Sequence, residues 1–464
     1  MQKVLTTLCC GALVVGGWMG YASLYKTVTP AGSAVIVPEP VVHLPFDSAV
    51  IDKRIANNEN AVKIDPGAAM NWSGLCSAYL ARSRESDDYT TAIKAEESAR
   101  HSLKIRKLGN SGAWNKLVSS LLQQHRFKDA LIQTEACESE KLSDDTTQQL
   151  KADCMIEIGR YDDAGLVVSK HPRAFSDGSG KTIVARLLDI GGKPGDALRL
   201  LKEAVAEVDV NGGMASDSVA WFHGRLAQEL AKTGHHDEAR KEFEFALSIY
   251  PRDYKSMAGL ARLAFQNGNW QETIDWGNRS DAVAQMADIR ALVADAYAKL
   301  NQTAKAEEGY NRVAMLVGRP SGQNDGMHEA APAAGTHAHR LDRQYAVFCA
   351  DHDRDPVGAY AAALRDFEGR QDIYAYDTLG WVCKETGNLS EAKEAISRAL
   401  AKGTRDAMLY YHAGVIYAGA GDKAKAAGYL RQALAIDPHF DGIFAPKAEA
   451  LLRTCDAAGR TALK

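Results

Sequence analysis

From residue 47 almost to the C-terminus, apolar side chains recur at intervals of three and four, in runs interrupted by short polar steps that carry glycine, asparagine or proline. That spacing puts them on one face of an α-helix and predicts a succession of amphipathic helices. Asp47 to Ile64 reads as the first of these, with Ile51, Ile55 and Val62 inward. The later runs repeat one another. Leu379-Gly380, Gly387, Ala392 and Ala399 are followed 34 positions on by Ala413-Gly414, Gly421, Ala426 and Ala433. Leu226-Ala227, Gly234, Ala239, Phe243, Ala246 and Pro251 keep the same internal spacing, and Leu260-Ala261 with Gly268 follow by 34. A period of this length indicates stacked units, each too thin to fold alone, in place of one globular core.

Each landmark has a mechanical role. Small residues such as Gly380 or Ala227 on a first helix face Ala392 or Ala239 on the second, so the two helices approach closely. The glycine between them ends the first helix, because without a Cβ it takes the left-handed cap conformation. Tyr250-Pro251 and Asp437-Pro438 close their units, since proline lacks an N–H and pushes its predecessor out of helical geometry. These segments resemble the tetratricopeptide repeat, W-x-x-L-G-x-x-Y, then A-x-x-x-F, then P. Trp72-x-x-Leu75 with Tyr79, Trp114-x-x-Leu117, and Ala239-x-x-x-Phe243 with Pro251 carry the match. The spacing gives about ten units, beginning near Ala69, Ser111, Asp145, Gly178, Ala220, Tyr254, Ala287, Arg340, Ile373 and Ala407. The first carries an insertion, Ser83 to Tyr89, between its helices. The fold this implies is an all-α solenoid, a right-handed superhelix of antiparallel helix pairs behind an N-terminal capping helix.

Composition agrees with that reading. Hydrophobic residues make up 46% of the 464 residues and aromatics only 8%, which suits many small helix contacts better than one bulky core. A net charge of −4 leaves no basic field for a phosphate backbone, and no Lys/Arg cluster interleaved with aromatics occurs, so nucleic acid is not an expected partner.

The first residues follow a different rule. Between Lys3 and Lys26 there are 22 positions without a charge. Residues 1–25 therefore read as a signal peptide cut before Ser23, or as an uncleaved anchor spanning a hydrocarbon core of about 30 Å. Cys9-Cys10 follow Thr6-Thr7-Leu8, which lacks the small residue that lipoprotein processing needs. The expected location is exported or membrane-anchored, on the periplasmic side of a bacterial envelope. Residues 26–46 hold Pro30, Pro38, Pro40 and Pro45 and form an extended linker. Gly318 to Thr336, with Arg319-Pro320-Ser321-Gly322 and Ala331-Pro332-Ala333, is loop chemistry that divides a block over 47–317 from a second over 337–455, followed by a tail at 456–464.

Candidate chemistry is sparse. No two of the eight cysteines are separated by two residues, so no zinc ribbon or redox pair is written; six read as buried packing thiols, with Cys137 and Cys154 the pair to bridge in an oxidising compartment. His337-Ala338-His339, with His328 and His352-Asp353 nearby, invites a metal-assisted hydrolase, but histidines two apart on a helix point about 200° from each other and read more simply as solvated. His235-His236, beside Gly234, read the same way. Gly178-Ser179-Gly180-Lys181-Thr182 has the tail of a phosphate loop, yet Phe175 stands where its first glycine belongs, so it reads as a turn before a helix. No nucleophile elbow or shielded carboxylate pair appears. No catalytic residue, metal or cofactor is therefore expected.

What remains is a surface. The resemblance implies that the first helix of each pair lines a concave groove. Phe348, Tyr374, Asp377, Trp381, Lys384 and Tyr411 fall at helical spacing on first helices of the second block, an aromatic stripe with polar edges suited to peptide capture. The same rings packed between adjacent helices are the alternative. The function implied is a non-catalytic scaffold holding a protein or peptide in that groove, with a structural spacer in a secretion or polymer-export assembly as the rival.

Overall fold

The computed structural model describes residues 25–28, 35–38, 48–210, 213–317 and 341–462. Tyr25–Val28 and Val35–Pro38 pair as antiparallel strands, Tyr25 opposite Pro38 and Val28 opposite Val35, so this part of the linker is extended but folded back on itself. Every later element among the described residues is a helix. Helix α1 (Ser48–Ile64) caps the stack, with Ile51 buried and Ile55 and Val62 packed on the first core.

Ten helix pairs follow. The first four are α2 (Ala69–Ser86) with α3 (Tyr89–Ile105), α4 (Ser111–Gln123) with α5 (Phe127–Ser139), α6 (Asp145–Glu157) with α7 (Tyr161–Lys170), and α8 (Gly178–Ile190) with α9 (Pro194–Asp209). Next come α10 (Ser216–Lys232) with α11 (His236–Ile249), α12 (Tyr254–Gln266) with α13 (Trp270–Asp281), and α14 (Ala287–Lys299) with α15 (Thr303–Val317). After the break are α16 (Asp342–Asp351) with α17 (Pro356–Gly369), α18 (Ile373–Glu385) with α19 (Leu389–Ala399), and α20 (Ala407–Gly419) with α21 (Lys423–Ile436). Helix α22 (Phe444–Ala462) closes the array and runs through most of the segment the sequence suggested as a tail. Even numbers are first helices, odd numbers second.

Eight of the ten unit starts read from spacing are the first residue of a first helix. Helix α10 begins earlier, at Ser216 in place of Ala220, because Ser216 and Val219 are buried in its extra turn. The supposed insertion at Ser83 to Tyr89 is not a loop: α2 continues through Ser86, with Ser83 and Glu85 buried, and only Asp87-Asp88 turn the chain.

One backbone device recurs in every pair. The residue that reverses the chain between first and second helix has positive φ: Asp87, His125, Gly159, Gly192, Gly234, Gly268, Asn301, Asp353, Gly387 and Gly421. Only six of the ten are glycine, which is why a search by glycine alone blurs the register. Aspartates start many helices by accepting orphan N–H groups. Asp144 forms a capping box with Thr147, Asp177 accepts from Gly180, and Asp372 accepts from Tyr374 and Ala375 at 2.8 Å each. Asp177 explains the glycine-rich stretch at 178–182 as the opening turn of α8, where Lys181 pairs with Glu207 at 2.9 Å.

Alanine and small residues meet leucine, valine and aromatic rings between the helices, and the six cysteines Cys76, Cys137, Cys154, Cys349, Cys383 and Cys455 are buried and unbridged. Burial pushes the Cys76 thiol up to about 12 and Cys349 up to about 11, so they pack as inert apolar groups. The core continues across the break: Ala287, Ala294, Tyr310 and Val313 share one cluster with Ala346, Phe348 and Cys349.

His223 on α10 sets one pH-dependent contact. Its Nδ1 faces Glu242 at 2.6 Å and its Nε2 faces Asp209 at 3.0 Å. Burial alone would lower its pKa, but the two carboxylates override that and raise it above the ordinary 6.5. The stabilisation is therefore complete below the unfolded-state value and is lost as pH rises through the folded one. The unfolding free energy of the wild type relative to His223→Gln is expected to shrink as pH climbs from about 6 upward; a difference that stays flat would exclude this clamp.

The superhelix closes on itself. One turn later, the loops that end the second helices of the C-terminal block settle on the turns of the N-terminal block. The Ile373 N–H donates to the Tyr161 hydroxyl at 2.9 Å, the Thr404 hydroxyl donates to the Ile190 carbonyl at 2.6 Å, and Lys402 pairs with Asp162 at 2.8 Å. His236 contacts Asp437 at 2.8 Å, and Gln266 donates to the Phe440 carbonyl. His236 is thus a bridge between turns and not the solvated histidine its neighbourhood suggested. Ile373 and Leu409 belong to the N-terminal core with Tyr161, Phe175 and Ile190. Gly159 and Gly192 make this approach feasible, since a Cβ on either would collide with the carbonyl oxygen of Gln371 or Gly403.

Candidate binding channel

The first helices of the N-terminal block surround a channel of about 800 Å³. Its wall follows from the repeat. Counting back from the turn residue, the positions 13, 10 and 6 before it face inward in four successive units: Thr146, Gln149 and Asp153; Ser179, Thr182 and Arg186; Trp221, Gly224 and Gln228; Lys255, Ala258 and Arg262. Helical spacing stacks these residues on one face of each first helix, while the opposite face carries the core. Arg84 of α2, Arg225 of α10, Glu157 and Asp253 also line it, with Leu150, Ile183 and Met286 as apolar neighbours.

Polar residues on the wall fall into two groups. Arg186 binds Asp153 and Glu157, the latter at 2.6 Å, and Arg262 binds Asp288. Arg84, Arg225 and Lys255 pair with no carboxylate among the described residues; Arg225 donates only to Gln228 at 2.9 Å. Burial in the channel holds all three below their ordinary ranges. For Lys255 the charges of Asp87 and Asp253 oppose that and those of Arg225 and Arg84 add to it; for Arg225 the charge of Arg186 adds to it and Glu229 opposes. Among them stands Trp221, a large ring left 41% exposed.

The stripe expected in the C-terminal block sits at the matching register but is not free. Tyr374, Asp377 and Trp381 stand 13, 10 and 6 residues before Gly387, and Tyr411 stands 10 before Gly421. Phe348, Trp381 and Tyr411 are nevertheless buried, at 5%, 3% and 4% exposure. The chain fills its own groove there: Phe440 and Phe444 pack on Tyr411, and Phe444 reaches Trp381 edge-on. The Trp381 ring stacks on His412 at 4.1 Å and its Nε1 donates to Asp351 at 2.8 Å. Asp377 is spent on His412 at 2.9 Å, and Lys384 lies over the Trp381 ring and pairs with Glu385. Tyr374 keeps 37% exposure, with its hydroxyl 3.4 Å from Lys232 of the preceding superhelical turn. Phe348, Trp381 and Tyr411 thus pack between helices, whereas Tyr374 and Lys384 keep accessible surface.

No group of histidine, cysteine and carboxylate among the described residues is arranged to hold a metal. His352 is engaged by the Phe348 carbonyl at 2.8 Å and Asp295 at 3.0 Å. His328, His337 and His339 lie outside the described residues. The channel residues were missed because none is unusual alone; alignment on the turn residue, including its non-glycine forms, is the signal that finds them.

No curated protein sequence matches the chain significantly. Among solved structures it is similar to yeast Tom70, at 12% identity over 89% of this chain and 93% of that one with a TM-score of 0.37. A human IFIT1 dimer with PPP-AAAA is 14% identical over 85% and 96%, TM-score 0.43, and a tetratricopeptide repeat protein from Parabacteroides merdae 16% over 54% and 94%, TM-score 0.35. Scores below 0.5 bear neither on the course of the superhelix nor on what it binds. The family model for the tetratricopeptide repeat matches residues 225–287 and 379–439, the helix pairs whose spacing first carried the resemblance. With those matches, ten helix pairs and a concave wall built of first helices, the chain is an α-solenoid that carries tetratricopeptide repeats at residues 225–287 and 379–439, repeats of the kind that serve as scaffolds for other proteins.

Proposed function

We propose that this scaffold holds a protein or peptide segment in the channel of its N-terminal block, with α6, α8, α10 and α12 as the wall. The observation that carries the reading is the open channel itself: the inward positions of four successive units are lined mostly by polar side chains with an exposed Trp221, and the described residues leave them uncovered. Exposed tryptophan in a concave site offers large contact area at low entropy cost, and the flanking charges supply register. Recognition by a pre-formed surface needs no catalytic group, so the proposed role is non-catalytic.

The setting we propose is a bacterial envelope, with the chain exported or tethered through residues 4–25. Its support is the 22-residue uncharged stretch. Among the described residues no helix is long and apolar enough to cross a membrane. Terminal sequencing of the envelope-associated chain decides between a start at Ser23 and an intact anchor.

A pull-down from solubilised envelope tests the channel. Trp221→Ala is expected to lose partners that the wild type and Tyr374→Phe both retain. Retention by Trp221→Ala with loss by Tyr374→Phe would move the site back to the second block.

A further inference from the structure

The channel's charge narrows what can occupy it. Arg84, Arg225 and Lys255, from the three helices α2, α10 and α12, line one cavity together with Trp221, and Arg84, Trp221 and Lys255 also line two further cavities. The carboxylates on the same wall are already engaged: Asp153 and Glu157 by Arg186, and Asp253 by the Ser256 hydroxyl and the Lys255 N–H at the start of α12. Asp217 lies near Arg84, Asp87 and Asp253 near Lys255, and Glu229 near Arg225, but none of them comes within ion-pairing distance among the described residues, so the three cations keep donors for an incoming anion while burial disfavours their charge. Such an arrangement costs stability unless an anionic group enters to satisfy it.

We infer that the occupant is an acidic peptide segment, its aspartate or glutamate carboxylates received by Arg84, Arg225 and Lys255 and an aromatic or apolar side chain laid against Trp221. This rests on the channel being the binding site. Carboxylates fit better than a nucleic acid: the three cations share their cavity with Asp153 and Glu157, whose charges would oppose a regularly charged phosphate backbone. Arginine at two of the three positions suits planar, two-point recognition of a carboxylate.

The test uses the full chain and four defined probes: a twelve-residue Glu/Asp-rich peptide containing one Phe, the same peptide with Gln and Asn for its acids, the same with Lys, and a single-stranded RNA of equal length. Binding is read by titration calorimetry and by the fluorescence of Trp221, isolated by subtracting Trp221→Phe. The acidic peptide is expected to bind at least about tenfold more tightly than the other three, and to weaken by about tenfold between low and moderate salt. Arg225→Gln with Lys255→Gln is expected to abolish that preference while leaving the melting temperature unchanged or raised, since neither cation makes an ion pair among the described residues that the variant would lose. Equal binding of the neutral peptide, lost in Trp221→Ala, would overturn the inference yet leave the channel as the site. Tighter binding of RNA, an acidic preference that survives the double variant, or no binding by any probe would overturn it outright.

Discussion

Trp381→Ala is expected to destabilise the protein by about 3–5 kcal/mol, the range for emptying a buried aromatic site. The ring is 3% exposed and packed against His412, Tyr411 and Phe444, so truncation leaves a cavity between α18, α20 and α22. A second loss accompanies it. Asp351 takes the indole N–H at 2.8 Å, and burial already raises its carboxyl to about 6. Without that donor it is left buried and less satisfied. Trp381→Phe should recover most of the packing and none of the hydrogen bond. Denaturant unfolding checks the stability loss, and partner binding measured well below the melting temperature should be unchanged. Stability within about 1 kcal/mol of wild type, coupled with lost binding, would return Trp381 to a groove surface.

The second large effect is expected where the superhelix touches itself. Gly192→Val introduces a β-branched side chain at φ +75°, and its Cβ would run into the Gly403 carbonyl oxygen. Backbone strain and overpacking together should cost about 2–5 kcal/mol, and the C-terminal block should lift from its seat on the α8–α9 turn. Gly387→Val is the control: its φ is +79° but a Cβ there meets nothing, so it carries the backbone strain without the collision. Small-angle scattering is expected to show a larger radius of gyration for Gly192→Val than for Gly387→Val. Equal radii would mean that the contact between turns does not hold the superhelix closed.

These two variants also mark where sequence reading succeeded and where it stopped. Helix pairs are local objects, written in i, i+3 and i+4 spacing, in turn residues and in caps, so the unit starts at Ala69, Tyr254, Ile373 and Ala407 were legible without coordinates. The glycines at 178 and 180 resemble the tail of a phosphate loop, yet Asp177 caps α8 as a first helix. What was not legible is closure. Tyr374, Asp377 and Trp381 occupy the right register for a groove, and nothing nearby in sequence says that Phe440 and Phe444 fill that groove or that Lys232 approaches Tyr374 from 142 residues away. Such contacts arise from the superhelical pitch, a sum of small rotations over ten units. Among the described residues no later segment reaches the N-terminal channel, and only the assembled array reveals this.

Site-specific photocrosslinking tests the central claim most directly. A benzophenone side chain placed in turn at Gln228 in the channel, at Tyr374 in the C-terminal block and at Lys241 on the exposed face of α11 is activated in intact cells. Covalent capture of a discrete partner is predicted from Gln228 alone. Capture from Tyr374 or Lys241, with none from Gln228, would contradict the account.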